Sequence, residues 1–250
     1  NNSASESERG YSQMIFSGIE VHDVREDFPY VAGREYEERK LSNISTVVFH
    51  HSVTGTPSGH AATMRTLQSI HEWHTAGKTD VGPHNWPAIG YHFAIDGRGE
   101  IYYLNNINLI TYHARNANVW GIGVVWLGSY LDEAPTKVMQ NAAGRLYSAL
   151  CSHLNNRLQV LGHYQVTSAT ACPGPHWAKT RDYIWNWTPE YVISQQGAEN
   201  WEKQAFRLIF VGASNVSMQE GSTADDAHDA EEILRHMDRI KERHNLGGDT

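Results

Sequence analysis

The chain has 250 residues, of which 40% are hydrophobic, and its 28 acidic against 20 basic residues give a net charge of −8. This composition is typical of a globular chain with one large domain, or one domain with extensions, and it excludes collagen-like and disordered sequences. The acidic balance argues against nucleic acid as a partner. No apolar stretch of about 20 residues predicts a membrane span, and no retained signal peptide is expected.

The first half of the chain combines strand patterns with one helical pattern. Residues 1–40 are polar, and a short peripheral strand is predicted at 19–24. Residues 45–50 form an apolar, β-branched run typical of a central strand buried on both faces. This strand ends in His50 and His51 before a turn-rich loop, where functional sites are often built. Residues 63–74 predict a helix with one core-facing apolar stripe, formed by Met64, Leu67, Ile70 and Trp73.

The second half of the chain continues the alternation of strands and helices. Residues 89–95 and 101–104 flank the turn sequence at 96–99, which predicts a β-hairpin. Residues 122–127 predict another buried strand, and Pro135 opens a helix that runs to about Leu154. These elements predict an α+β fold, in which helices flank a central mixed β-sheet. The apolar stripe of the second helix consists of Val138, Ala142, Leu146, Leu150 and Leu154.

The last part of the chain, residues 187–250, has a different character. It offers one strand pattern at 205–211 and one charged amphipathic helix at 224–244, which is too little for a typical independent core. We therefore expect the apolar stripe of this helix to pack on the rest of the chain or on a second copy, which would make a homo-oligomer. The stripe consists of Ile233, Leu234, Met237 and Ile240.

Two cysteines and two histidines suggest a metal site. His163 and Cys172 lie nine positions apart around a turn-rich loop. Zinc accepts imidazole and thiolate ligands, and a catalytic zinc site needs three of them with the fourth position open. His50, His163 and Cys172 would supply that set. From the residues alone, Cys172 as a structural thiol remains an equal alternative, and so does a single disulfide with Cys151, which otherwise is predicted to be a small buried side chain within a helix.

Several sequence blocks resemble the zinc-dependent N-acetylmuramoyl-L-alanine amidase family, which phage amidases share with animal peptidoglycan recognition proteins. They occur in the family order over about residues 42–184, at 47–52, 73–74, 89–93, 113–118, 122–123 and 162–174. The resemblance implies the fold of that family. It also implies an amidase domain at 42–186, with an N-terminal extension at 1–41 packed on the core and a C-terminal extension at 187–250.

The resemblance also implies roles for individual residues. It makes His50, His163 and Cys172 the ligands of Zn²⁺, Tyr91 and Thr170 catalytic residues, and Trp86, His113 and Asn118 part of the substrate groove. For His113, a functional role and a mere wall of the groove both stay open.

The chain also departs from the family pattern in three places. Tyr164 and Gln165 stand where family members often have Arg-Asp, so a carboxylate supporting the ligands must come from elsewhere. One extra residue falls within 166–169, and the loop between the Trp73 helix and Tyr91 is enlarged.

The activity implied is hydrolysis of the amide bond between N-acetylmuramic acid and L-alanine in peptidoglycan, as in endolysins and autolysins. One alternative is a peptidoglycan-binding protein without activity, although binding-only members typically lack the cysteine ligand. Another is a structural zinc site closed by His51 or His92 as a fourth ligand. The expected place of action is the bacterial cell wall, reached by a phage-encoded enzyme or by secretion after removal of a leader.

Overall fold

The computed structural model describes residues 13–76, 84–167 and 170–187. Its central feature is a seven-stranded sheet in the order β1-β2-β5-β4-β6-β3-β7. The pairs β1/β2 and β4/β5 are antiparallel, whereas the other four neighbouring pairs are parallel. The predicted mixed sheet with flanking helices is therefore confirmed. The strands are β1 (Gln13–Phe16), β2 (Ile19–Asp23), β3 (Thr46–His51), β4 (Phe93–Ile95), β5 (Ile101–Tyr103), β6 (Gly121–Trp126) and β7 (Gln159–Gly162). The helices are α1 (His60–Thr75), α2 (Lys137–Leu154), α3 (His163–Val166) and α4 (Trp177–Trp185).

The two faces of the sheet are covered differently. Because side chains alternate along a strand, Val47 and Phe49 of β3 point to one face, which we call the core face, and Val48 and His50 point to the other, which we call the site face. Helices α2 and α4 pack on the core face, where their side chains join those of β3, β4 and β6 in the largest apolar cluster. On the site face, Leu67 of α1 packs over β4, β5 and β6.

The predicted hairpin forms, and a buried carboxylate fixes its turn. Asp96 is fully buried and accepts hydrogen bonds from the backbone N–H groups of Arg98 and Glu100. It also accepts one from the Thr63 hydroxyl at 2.9 Å, which joins the turn to helix α1. The hairpin strands are shorter than predicted, because β4 begins only at Phe93. The residues just before it belong to the site described below.

Two predicted core residues lie outside the core. Trp73 is 50% exposed and Val138 is 52% exposed. On α1, the buried side chains are those of Thr63, Leu67 and His74, so Trp73, one position from His74, is rotated about 100° away from the buried face. Val138 lies in the first turn of α2, beside the hairpin turn at Gly99 rather than under the sheet.

Both cysteines are free thiols. Cys151 is half-buried and packs against the core, whereas Cys172 is buried near the end of β3. The disulfide alternative is therefore wrong.

Predictions for the strand at 205–211, the helix at 224–244 and a homo-oligomer lie outside the described residues. Within the described part of the chain, no helix combines the length and the apolar character that crossing a bilayer requires.

Candidate metal centre

Three elements bring the predicted ligands together. Strands β3 and β7 are parallel neighbours in which Phe49 pairs with Gly162, so the next residues, His50 and His163, lie side by side with ring centroids 4.5 Å apart. Cys172 lies on the loop after α3, and its carbonyl accepts a hydrogen bond from the Tyr164 N–H at 2.8 Å. One ligand atom from each of His50, His163 and Cys172 lies within 4.8 Å of the others.

The position of Cys172 depends on backbone contacts around it. The His51 N–H donates to Sγ of Cys172 at 3.3 Å. Two residues further on, Gly174 has φ of 117°, and a Cβ there would lie 1.9 Å from the Tyr130 carbonyl oxygen. Only glycine fits this turn. Burial raises the pKa of the Cys172 thiol to about 12, against the lowering effect of the His51 N–H, so a metal ion must displace its proton on binding.

The donor set fits zinc. Bond lengths of about 2.0–2.3 Å in a tetrahedral site place neighbouring ligand atoms roughly 3.5 Å apart, and Sγ of Cys172 lies 4.0 Å from Nδ1 of His50. Burial lowers the pKa of both His50 and His163, so both imidazoles are neutral, as ligands must be. His163 is only half-buried, whereas His50 and Cys172 are buried, so the cluster is accessible from one side.

Two predicted catalytic hydroxyl groups lie next to this cluster. The Tyr91 ring centroid is 5.2 Å from that of His50, and burial raises the pKa of Tyr91, so its hydroxyl keeps its proton. The Thr170 hydroxyl oxygen accepts a hydrogen bond from the Cys172 N–H at 3.1 Å. Its own proton remains available to donate. Both hydroxyl groups can therefore act as hydrogen-bond donors near a ligand of the metal.

The predicted groove residues lie in two different environments. His113 is only 5% exposed; its Nδ1 lies 3.1 Å from Nε2 of His50, and its own Nε2 donates to the Gly121 carbonyl. It therefore lies behind a ligand rather than in an open wall. Asn118 accepts a hydrogen bond from the Ala114 N–H at 2.8 Å through its side-chain oxygen, which closes its own loop. Direct substrate contacts by these two residues stay predictions.

Trp86 belongs to a row of rings that leads away from the cluster. Successive ring centroids are 5.6 Å apart for Tyr91 and His74, 4.4 Å for His74 and Trp86, and 4.1 Å for Trp86 and His84. The last two rings are almost parallel, at 4°. The sequence analysis did not single out His74 or His84, although the abundance of His, Pro and Trp in their loop was a usable signal. This row, His84–Trp86–His74–Tyr91, is called the ring row below.

The proposed fourth ligands of a closed site point elsewhere. Nδ1 of His51 accepts a hydrogen bond from the Tyr130 N–H, on the opposite face of β3 from His50. Nδ1 of His92 accepts one from the Gly123 N–H, and its Nε2 donates to the Leu109 carbonyl. Within the described residues, only one group of three or more His, Cys, Asp or Glu side chains could hold a metal ion, and it contains neither of them. The structural-zinc alternative is therefore wrong.

Gln165 does not replace the family's acidic residue near the metal. Its side-chain oxygen accepts hydrogen bonds from the Gly162 N–H at 2.8 Å and the Trp177 indole N–H at 2.7 Å, so it ties α3 to β7 and α4. In the described ranges, no carboxylate forms a hydrogen bond with any of the three ligands. Residues 168 and 169, where the extra loop residue was expected, lie outside the described residues.

Comparison with known proteins gives a consistent picture. The sequence model of the N-acetylmuramoyl-L-alanine amidase family matches residues 40–175. Peptidoglycan-recognition protein SC1a of Drosophila melanogaster is 32% identical over 145 residues, which cover 57% of this chain and 71% of that protein.

Two solved structures have a similar fold. Bumblebee PGRP-SA is 26% identical with a TM-score of 0.56, covering 67% of this chain and 95% of its own. A tyrosine-to-phenylalanine mutant of Drosophila PGRP-LB, in complex with tracheal cytotoxin, is 26% identical with a TM-score of 0.53, covering 63% and 89% of the two chains.

Proposed function

The chain belongs to the N-acetylmuramoyl-L-alanine amidase family, and we propose that it is a zinc-dependent enzyme that cleaves the amide bond between N-acetylmuramic acid and L-alanine in peptidoglycan. The observation that carries this proposal is the convergence of His50, His163 and Cys172 in one accessible cluster with two proton-bearing hydroxyl groups beside it. A cluster of three ligands leaves a fourth position for water or substrate, as catalytic zinc sites do.

The chemistry divides between the metal and the protein. When bound, zinc supplies a Lewis acid that activates water and polarises the scissile carbonyl. His50, His163 and Cys172 hold the ion, and only Cys172 brings a negative charge when deprotonated. The cluster therefore leaves a net positive charge on the centre, which favours the negative charge that develops on the carbonyl oxygen as water adds to the amide.

Tyr91 and Thr170 would assist at the reacting carbonyl. Because burial keeps the Tyr91 hydroxyl protonated, it can donate a hydrogen bond to the developing oxyanion or orient the attacking water. Thr170 uses its oxygen as an acceptor for the Cys172 N–H, which leaves its hydroxyl proton for the substrate. As a neutral donor, Thr170 assists less than a charged group would.

The ring row would bind the substrate beside the bond that is cleaved. Aromatic side chains offer flat apolar surfaces, and the indole N–H adds a polar group, a combination that suits amphipathic sugar and peptide units. The related PGRP-LB binds tracheal cytotoxin in its solved complex, which supports a muropeptide as the ligand here. We further propose the bacterial cell wall as the place of action.

A direct test uses purified sacculi. The protein is incubated with them as prepared, with chelator, and with chelator followed by excess zinc, and the products are identified by mass spectrometry. We expect stem peptides with a free L-alanine amino group and glycan with a free lactyl carboxyl group, in the first and third samples only.

Two outcomes would contradict the proposal. Co-sedimentation with sacculi without any released product would show a recognition protein that does not cut. Release of products with a different new terminus would show hydrolysis of another bond.

A further inference from the structure

We propose that His113 is a positioning residue that fixes the tautomer of His50, so that the unprotonated Nδ1 of His50 faces Cys172 and the metal. This inference rests on the proposed function in one respect, since it takes zinc as the ion that Nδ1 binds. It assigns His113 a role behind the ligand, in addition to any contact that it makes with substrate.

The direction of each hydrogen bond follows from one backbone carbonyl. The Gly121 oxygen can only accept, so Nε2 of His113, 3.2 Å away, must carry the proton. In a neutral imidazole the other nitrogen is then an acceptor. Nδ1 of His113 therefore accepts from Nε2 of His50 across 3.1 Å. With its proton on Nε2, His50 leaves Nδ1 unprotonated, and this is the atom that lies 4.0 Å from Sγ of Cys172.

A buried cation keeps His113 neutral. Burial lowers the pKa of His113 to about 3, and the nearby Arg39 guanidinium lowers it further, against the raising effect of the Gly121 carbonyl. Arg39 is 6% exposed and donates from Nη1 to the carbonyls of Asn118 and Gly121, both at 2.8 Å. It therefore shares the Gly121 oxygen with His113 and holds the end of the hydrogen-bond chain in place.

Two glycines make room for the His113 ring on the site face of β6. A Cβ at Gly123 would lie 2.5 Å from Cγ of His113, and one at Gly121 would lie 3.2 Å from its Cε1. Glycine within a strand is unfavourable unless another group approaches the backbone closely, and here the imidazole does. Any side chain at Gly123 would displace the ring from His50.

This arrangement takes the place of a carboxylate. Histidine ligands usually donate their second N–H to a carboxylate, a backbone carbonyl or water, which sets the tautomer. In this protein the chain runs from His50 through a neutral imidazole to the Gly121 carbonyl. It orients the ligand without adding negative charge, which preserves the positive charge of the centre.

The test compares two substitutions at one position. His113→Leu removes the acceptor, whereas His113→Asn places its side-chain oxygen close to the position of Nδ1 and can still accept from His50. His153→Leu, at an exposed position on α2, is the matched control for loss of a histidine. Zinc affinity is measured without substrate by chelator competition, and the His50 tautomer is measured in zinc-free protein by long-range ¹H–¹⁵N NMR. Circular dichroism confirms that each variant is folded.

We expect His113→Leu to weaken zinc binding about 10- to 100-fold and to give His50 a mixture of both tautomers. His113→Asn should recover most of the affinity and the Nε2–H tautomer, and His153→Leu should match the unsubstituted protein. Unchanged affinity and an unchanged tautomer in a folded His113→Leu protein would overturn the inference. If no variant binds zinc, the proposed function fails, while the tautomer in zinc-free protein still decides the role of His113.

Discussion

The two faces of strand β3 obey different physical rules. On the core face, Val47 and Phe49 are fully buried in an apolar cluster with α2 and α4, where any side chain of similar volume and shape would serve. On the site face, His50 is equally buried but has directional partners, which are His113 on one ring nitrogen and the cluster with Cys172 on the other. Adjacent residues of one strand thus differ in what they tolerate.

The difference shows where stability and function are separated in this fold. The core face contributes burial, which is proportional to area and has no preferred direction. The site face contains polar atoms that are costly to bury unless each has a partner. Substitutions on the core face should therefore change the free energy of unfolding, and substitutions on the site face should change metal binding and catalysis.

The largest effect is expected from Cys172→Ser. Serine lacks a thiolate, which is the ligand form that zinc prefers, so this variant should lose zinc binding at equimolar metal and all measurable amidase activity. The fold should remain, because the core face is untouched. Metal content by atomic absorption, activity on sacculi and circular dichroism check the three expectations. A folded variant with full zinc occupancy and normal turnover would contradict the ligand assignment.

The second prediction concerns the opposite face. Leu146 of α2 is fully buried in the core cluster, so Leu146→Ala should reduce the free energy of unfolding by about 2–5 kcal/mol through lost burial and a cavity. Urea unfolding measures this loss. Zinc affinity of the folded protein should stay within error of that of the unsubstituted protein. A large loss of affinity would show that the two faces are coupled.

Sequence patterns predicted the core face better than the site face. Apolar runs and helical spacing gave β3, β6, α1 and α2, because burial produces periodic sequence patterns. They missed β1 and β7, which are four residues each with at most two buried positions. Helix α4 was also missed, because its apolar residues are few. The exposed Trp73 shows that a residue type alone does not determine which side of a helix is buried.

The candidate site was identified in a different way. Ligand chemistry suggested the set His50, His163 and Cys172, and only the family resemblance made it more than one alternative among several. The sequence could not show the role of His113, because its contact with His50 depends on the close approach of a ring to Gly121 and Gly123. Neither spacing nor composition encodes such a contact between positions 63 residues apart.

Tyr91 gives a third test, on the site face alone. Tyr91→Phe removes only the hydroxyl and keeps the ring against His50 and His74. If the hydroxyl acts in the transition state, kcat should fall about 100-fold with little change in KM, and stability should be nearly unchanged. Steady-state kinetics on a soluble muropeptide measure both constants. A change confined to KM would instead make Tyr91 a substrate-binding residue.

The smallest predicted effect is the pH dependence of zinc binding. Burial raises the pKa of the Cys172 thiol to about 12, so below that pH the thiol must release one proton when zinc binds. The pKa values of His50 and His163 are lowered by burial, so both are neutral above pH 6 and release none.

Binding should therefore strengthen by about tenfold per pH unit between pH 6 and 7.5, the slope for one released proton. Chelator competition at several pH values measures the slope, and calorimetry in buffers of different ionisation enthalpy counts the protons directly. A slope of two or three protons would mean that the buried histidines are charged in the free protein. In that case the site face would not hold its imidazoles ready for the metal, and the contrast between the two faces of β3 would be weaker than the hydrogen bonds of His50 indicate.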